Sequence, residues 1–212
     1  IEYRNPLNNL FFNVNYRFNK TNRNIIGNSI NDGSGFILTD FKELDNQSNS
    51  NSIGAEIGKY FPAFKTNASL SFNNSVSKSD GLTTDNAGNQ YFYLNKNTSQ
   101  TAGLKFNNTK FSWMSVDYNL SFSWNHQESQ FNDSKTSGFN HNLSTYFYPL
   151  ENHTVGFSWD QINSGSNLTS YNNAFYDVSY QYTWAKKKID FEVKWLNIGN
   201  RKVFERFSTD AI

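Results

Sequence analysis

The sequence predicts an all-β protein, an antiparallel up-and-down transmembrane β-barrel of which about ten strands are present. Three observations support this class: apolar and polar residues alternate over many segments, short and long connections alternate between those segments, and the composition favours strands. Phe and Tyr number 20 and 12 among 212 residues, yet only 36% of the residues are hydrophobic. This low fraction suits a barrel, because only every second residue of a strand meets lipid.

The alternation is clearest from Met114 to Trp124, where every even residue is apolar and every odd residue is polar. A two-residue period is that of a strand with one apolar and one polar face. Similar segments lie at 10–19, 68–76, 154–160, 176–184 and 189–195, with weaker ones at 53–61, 100–106 and 139–148. Together they predict about nine strands, and a further strand is expected to begin near Val203.

The connections between these segments alternate in length. Short connections lie at 62–65, 107–110, 149–152 and 185–188, and longer polar stretches at about 20–35, 79–98, 125–138 and 160–173. An up-and-down order places every short turn at one end and every long, irregular loop at the other. Pro6, Pro62 and Pro149 all fall at the short-turn end.

The apolar face is predicted to contact lipid rather than a protein core. The polar face is built mostly from small Ser, Asn, Thr and Asp residues, whereas a solvated face would carry more Lys, Glu and Arg. Aromatic residues gather near both ends of the strands, as in barrels that cross two membrane interfaces. The alternating segments run about 9–11 residues, the length that a tilted spanning strand needs. A soluble β-sandwich remains the alternative, since the same alternation also marks a core face.

This assignment gives each strand a lipid side and a lumen side. The residues expected to face lipid are Leu10, Phe12, Val14, Met114, Val116, Leu120, Phe122, Val178, Phe191 and Val193. The lumen-facing residues expected to line a substrate path are Asn13, Asn15, Arg17, Asp117, Asn119, Asp177, Gln181 and Glu192.

Three aromatic residues, Tyr91, Phe92 and Tyr93, fall in the predicted outer loop after the third strand. Exposed aromatic side chains in a polar loop indicate a binding surface, because they bury large area at low entropic cost. Packing against neighbouring loops is the alternative. The motifs "NDGSG" at 31–35 and "DNAGN" at 85–89 are explained by turn chemistry rather than by calcium binding.

Several function classes are disfavoured. The formal net charge is +1 and no basic stripe is present, so no nucleic-acid partner is expected. Cysteine is absent, and the three histidines are not at metal-ligand spacing. No phosphate-binding loop, nucleophile elbow or paired-carboxylate constellation is found. We therefore expect no enzymatic activity, no cofactor and no metal site.

Three stretches carry a resemblance to a known family: "EYRNPLNNLFFNVNYRFNKTNRN" at 2–24, "NSIGAEIGKYFPAFKTNASLSFNNSVSKSDGL" at 51–82 and "DVSYQYTWAKKKIDFEVKWLNIGNRKVFERF" at 177–207. They resemble barrel segments of TonB-dependent outer-membrane receptors from Bacteroidetes-type bacteria. The resemblance covers nearly the whole chain and consists mostly of strand pattern.

The resemblance implies a probably 22-stranded barrel in the outer membrane of a Gram-negative bacterium, filled by an N-terminal plug domain that engages TonB. Residues 1–212 would then be the C-terminal part of that barrel, without the plug and the final strands. The implied partners are outer-membrane lipid, the remainder of the barrel, the plug, TonB and a surface lipoprotein.

Three functions follow as hypotheses. The first is TonB-dependent uptake of a nutrient such as a glycan, a peptide or a metal chelate. The second is a receptor-like barrel that serves as a scaffold for surface lipoproteins or a secretion assembly. The third is a soluble secreted β-rich binding protein.

Overall fold

The computed structural model describes residues 1–31, 37–166 and 170–199, which form one ten-stranded antiparallel sheet. The strands follow one another in the sheet in chain order, so the topology is an up-and-down meander. The strands are β1 (Glu2–Asn5), β2 (Leu10–Asn31), β3 (Ile37–Phe61), β4 (Thr66–Thr84), β5 (Gln90–Phe111), β6 (Met114–Glu128), β7 (Asp133–Leu150), β8 (His153–Ser166), β9 (Ser170–Trp184) and β10 (Ile189–Trp195).

The all-β class and the up-and-down order predicted from the sequence are confirmed. All nine alternating segments lie within β2 to β10, and β1 is an additional short strand. The strand expected near Val203 lies outside the described residues. The sheet does not close into a barrel: β1 and β10 are its two edges. In the part of the chain that the structure describes, no helix has the length and apolar character needed to span a membrane.

The short-turn end is built from a recurring backbone conformation. Asn9, Lys65, Asn152 and Lys188 each have a positive φ, between 44° and 63°, just before a strand begins. This left-handed conformation reverses the chain in little space, and asparagine tolerates it better than most residues. Pro62 opens a single 3₁₀ turn that ends at Phe64 and precedes Lys65.

The prediction of a short turn at 107–110 is wrong, because β5 continues to Phe111 and the chain reverses at Ser112 and Trp113. Backbone contacts hold this segment against the preceding turn. The Thr109 N–H donates to the Lys65 carbonyl at 3.1 Å, and the Asn108 side chain donates to the Phe64 carbonyl at 2.9 Å.

The prediction of long irregular loops at the opposite end is also wrong. Most of the residues at 79–98 and 125–138 belong to strands, and the connections shrink to residues 85–89 and 129–132. The motif at 31–35 lies almost wholly outside the described residues. Polar residues on both faces remove the two-residue period, but they do not prevent backbone pairing. The strands therefore continue as long hairpin arms.

The β2–β3 arm bends over the β4–β5 arm at a register shift between Arg23 and Ile25. Beyond this bend β2 pairs with β4 in parallel, at Asn28 with Leu82 and at Ile30 with Thr84. The crossing buries a small core in which Ile26 is 5% exposed and Leu82 is 1% exposed. These two are the buried hydrophobic residues among those described.

The strand register separates the residues into one apolar and one polar face. One cross-strand row on the apolar face runs through Leu70, Leu104 and Leu120, and the next row through Phe72, Ala102, Phe122 and Phe139. The polar face carries the intervening residues. The polar row between the two apolar rows contains Ser71, Gly103, Ser121 and Asn140.

On the polar face, three aromatic side chains lie across glycines on the neighbouring strand. Phe11 pairs with Gly58, Tyr93 with Gly81, and Tyr146 with Gly156. A Cβ at Gly58 would overlap the Phe11 ring, whereas a Cβ at Gly27 would lie 3.8 Å from the nearest atom. The Phe11 ring can therefore pack over Gly58 because this residue has no side chain.

We expect Gly58→Ala to destabilise the fold by about 1–3 kcal/mol, because the Phe11 ring must move to an overpacked position. Gly27→Ala is the matched control, and its effect should stay within about 1 kcal/mol. Urea unfolding midpoints of the refolded protein measure both. Adding Phe11→Ala to Gly58→Ala should recover part of the loss. Equal midpoints for the two alanine variants would contradict the packing described above.

Candidate functional site

The residues predicted to line a substrate path lie together on the polar face, distributed along β2, β6, β9 and β10. The register brings only some of them close to one another. Asp117 and Asp177 lie in one cross-strand row, with Ser144 and Ser158 between them. Asn13, Asn15 and Arg17 lie on β2, four strands away from β6.

The centre of the polar face is a hollow of about 740 Å³. Small side chains leave this space, with Ser71 and Gly103 facing each other across β4 and β5. The polar side chains that line it are Ser71, Lys105, Asn119, Ser121, Asn140, Asn142, Asp160, Asp177 and Asn197, together with His141 and Gln161. A second hollow of about 490 Å³ shares Lys105 and Asn119 with the first and also contains Asp117.

Three of the predicted residues, Asp117, Asn119 and Asp177, therefore line the two hollows. Glu192 lines a third hollow of about 260 Å³, which shares Asp177 with the first. The sequence analysis did not single out Asn140 and Asn142 as path residues. The weaker alternation at 139–148 contained the signal, because it places both on the polar face of β7.

Amide groups, rather than cations, satisfy the aspartates of the hollows. The Asn107 side chain donates to Asp117, and the Asn142 side chain donates to Asp160. The Asn197 backbone N–H donates to Asp177 at 2.6 Å. Among the described ion pairs, the one on this part of the face joins Lys194 to Glu192 at 3.0 Å.

The hollows thus offer amide donors, carboxylate acceptors, hydroxyls and the two lysines Lys59 and Lys105. Such a surface can form many weak hydrogen bonds to a polar solute. Within residues 1–31, 37–166 and 170–199, no three His, Asp or Glu side chains are grouped so that they could hold a metal ion.

The prediction that Tyr91, Phe92 and Tyr93 lie in a loop is wrong. They lie at the start of β5, next to the turn that joins it to β4. Cross-strand pairing extends to Thr84 and Gln90, so these aromatics stand on the β4–β5 arm. Their side chains alternate between the two sides of the arm. Tyr93 covers Gly81 and contacts Phe131 edge-on, at 5.3 Å between ring centroids. Phe92 is 57% exposed.

The tip of this arm is organised by Asp85. Its carboxylate accepts hydrogen bonds from the backbone N–H groups of Ala87 and Asn89 at 2.9 and 2.8 Å. It also accepts from the Asn89 side chain and from the Tyr91 hydroxyl, both at 3.0 Å. Hydrogen bonds from Asn89 lower the pKa of Asp85, and the same carboxylate raises the pKa of the Tyr91 phenol. Turn chemistry therefore accounts for "DNAGN".

Comparison with known proteins does not identify this chain. No protein-family model matches the sequence. No characterised protein matches it either.

Tyr93→Ala should destabilise the arm by about 0.5–1.5 kcal/mol or more, because it removes the ring that covers Gly81 and contacts Phe131. Phe92→Ala, at an exposed neighbouring site, should change stability by less than about 0.5 kcal/mol. Hydrogen exchange of the β4–β5 amides measures the local effect. If both variants leave exchange unchanged, the Tyr93 contacts are not stabilising.

Acidification should loosen the β4–β5 tip. Because the pKa of Asp85 is lowered in the folded arm, its stabilising effect is present above the ordinary aspartate value and is lost as pH falls through the lowered value. Exchange of the Ala87 and Asn89 amides should accelerate over that range. In Asp85→Asn this acceleration should be absent, and an unchanged pH profile in the variant would assign the effect to another group.

Proposed function

We propose that this sheet is part of an outer-membrane β-barrel receptor, with its apolar face toward lipid and its polar face toward the lumen. In this function a polar nutrient passes along the polar face. The single observation that best supports the proposal is the diagonal course of the apolar residues across the sheet.

On β2 the apolar residues run from Leu10 to Phe18, and on β9 they run from Tyr176 to Trp184. One cross-strand row joins Leu10 to Tyr176. On β2, Leu10 is the apolar residue of the band nearest the short-turn end. On β9, Tyr176 is the apolar residue of the band farthest from that end. Over the seven steps between these strands, the apolar band shifts along the strands by its whole length, about eight residues.

This shift corresponds to a strand tilt. Eight residues span about 26 Å along a strand, and seven strand spacings span about 34 Å. A flat apolar slab would then be crossed by strands tilted about 38° from its normal, within the range of about 35–45° found in membrane barrels. Measured along that normal, the band from Met114 to Trp124 is about 26 Å tall, close to the roughly 25 Å apolar height of such barrels.

No second layer covers this band among the described residues. Leu70 is 57% exposed, Phe122 is 38% exposed and Val193 is 69% exposed. A contiguous apolar surface of this extent marks an interface in a stable protein. A soluble secreted binding protein would have to cover these rows, so the exposed band disfavours that alternative.

Polar residues lie at the edge of the band that faces the hairpin arms. On β8 this edge is formed by Gln161. Its partner His141 lies within the band, between Phe139 and Leu143 on β7, and the two side chains are hydrogen-bonded at 2.8 Å between Nε2 and Oε1. Mutual pairing lowers the cost of polar groups beside hydrocarbon. The aromatic residues Trp113 and Trp184 lie at the short-turn end, where an interfacial girdle is expected.

Uptake is favoured over a purely structural role by the two adjoining hollows on the polar face. Their amide, hydroxyl and carboxylate groups suit a neutral polar solute such as a glycan or a peptide. The TonB-dependent step is supported only by the family resemblance of the strand pattern. The scaffold function is favoured by exposed apolar residues on the arms, where Phe41 is 72% exposed and Phe131 is 53% exposed.

A pair of arginine substitutions on adjacent residues tests the lipid assignment. Leu120→Arg places a charge on the apolar band and should cost about 2–4 kcal/mol near the bilayer midplane. Ser121→Arg points into the hollow beside Gly103 and should assemble with much less loss. The fraction of protein that migrates as a heat-modifiable band after outer-membrane extraction measures assembly. Equal tolerance of the two changes would overturn the assignment of the faces.

A further inference from the structure

A row of lysines crosses the outward side of the sheet just beyond the apolar band. The register joins Lys20 to Asn49, Asn49 to Lys78, and Lys78 to Lys96. The row continues to Glu128 and Asp133. All these residues occupy the same face as the apolar band, because they lie an even number of positions from its members along each strand.

Two of these lysines, Lys20 and Lys78, form no ion pair with any residue that the structure describes. Lys96 is paired with Glu128 at 3.1 Å, and Asp133 is paired with His126 at 2.7 Å. Asp80, two residues from Lys78, accepts a hydrogen bond from the Gln47 backbone N–H instead. In the described chain no carboxylate lies within ion-pair distance of Lys20 or Lys78. Lys78 is directly opposite Lys96, whose charge is already paired with that of Glu128.

The position of the two free lysines selects the kind of anion. Lys20 follows Phe18 by two residues on β2, and Lys78 follows Val76 by two residues on β4. Along its own strand, each lysine therefore begins about 7 Å beyond the last apolar residue of the band. Their strands are separated by β3 alone, so the two backbones are about 10 Å apart. A ligand at this place would contact apolar rows on one side and two ammonium groups on the other.

We propose that Lys20 and Lys78 bind the phosphate groups of a membrane lipid whose acyl chains lie against the apolar band. The inference rests on the proposed function, since it requires the band to be in a bilayer. Asn49 and Asn51, between the two lysines and beside them, supply additional amide donors at the headgroup level. The hairpin arms extend from this end, and longer extensions are extracellular in such barrels, so the lipid is a phosphorylated glycolipid of the outer leaflet.

The test is the affinity of the detergent-solubilised protein for diphosphoryl lipid A, measured by titration calorimetry. A lysine near an anionic lipid surface contributes about a fivefold gain in affinity, so Lys20→Gln with Lys78→Gln should weaken binding about thirtyfold. The matched control is Lys186→Gln with Lys187→Gln, which removes the same charge at the short-turn end. This control should stay within about twofold of the unmodified protein.

Two further probes separate lipid from free anion. Lipid A without phosphates should bind the unmodified protein as weakly as diphosphoryl lipid A binds the double variant. Millimolar inorganic phosphate should compete poorly, because it lacks acyl chains, and effective competition would instead indicate a free-anion site. The proposal would be overturned if both double variants lost lipid affinity equally, or if neither lost any.

Heat-modifiable migration of the same samples tests the proposed function separately. A heat-modifiable double variant with full lipid affinity would overturn the lysine site and leave the barrel proposal standing. Absence of heat-modifiable migration in the unmodified protein would instead count against the barrel.

Discussion

The continuous register of the strands is the constraint on which the rest of the structure depends. Because side chains alternate along a strand, one register fixes which rows lie on each face, and a shift of one residue would exchange the faces. The register places apolar residues opposite one another at many positions, as at Phe12 with Ile57, Phe157 with Val178 and Phe191 with Tyr182. The contiguous apolar band, the polar hollows and the row of lysines are all consequences of that alignment.

Small residues on the polar face are the second condition. Glycine and serine leave room for the aromatic rings at Phe11, Tyr93 and Tyr146 and for the central hollow between β4 and β9. The same choice explains why the aspartates of the hollows are bound by asparagine rather than by lysine. Amide side chains are short enough to pair across neighbouring strands, and they leave the hollow open.

The sequence analysis succeeded where one physical effect dominated. From Met114 to Trp124 the alternation predicted both the strand and its faces, because every second residue is apolar without exception. It failed at 79–98 and 125–138, where polar residues occupy both faces and the period disappears although backbone pairing persists. It also misplaced Tyr91, Phe92 and Tyr93 in a loop, because nothing in that local pattern shows that β4 continues beside them.

The sequence by itself determined the all-β class, the order of the strands, the two faces and the end that carries the tight turns, since each depends on residues close together along the chain. Only the tertiary structure decided which distant residues share a row. Leu10 and Tyr176 lie in one row, Lys20 and Lys78 lie on either side of Asn49, and Asn28 pairs with Leu82. Each of these relations depends on the registers of several strands taken together. The slant of the apolar band and the crossing of the arms depend on those accumulated registers, which local periodicity does not contain.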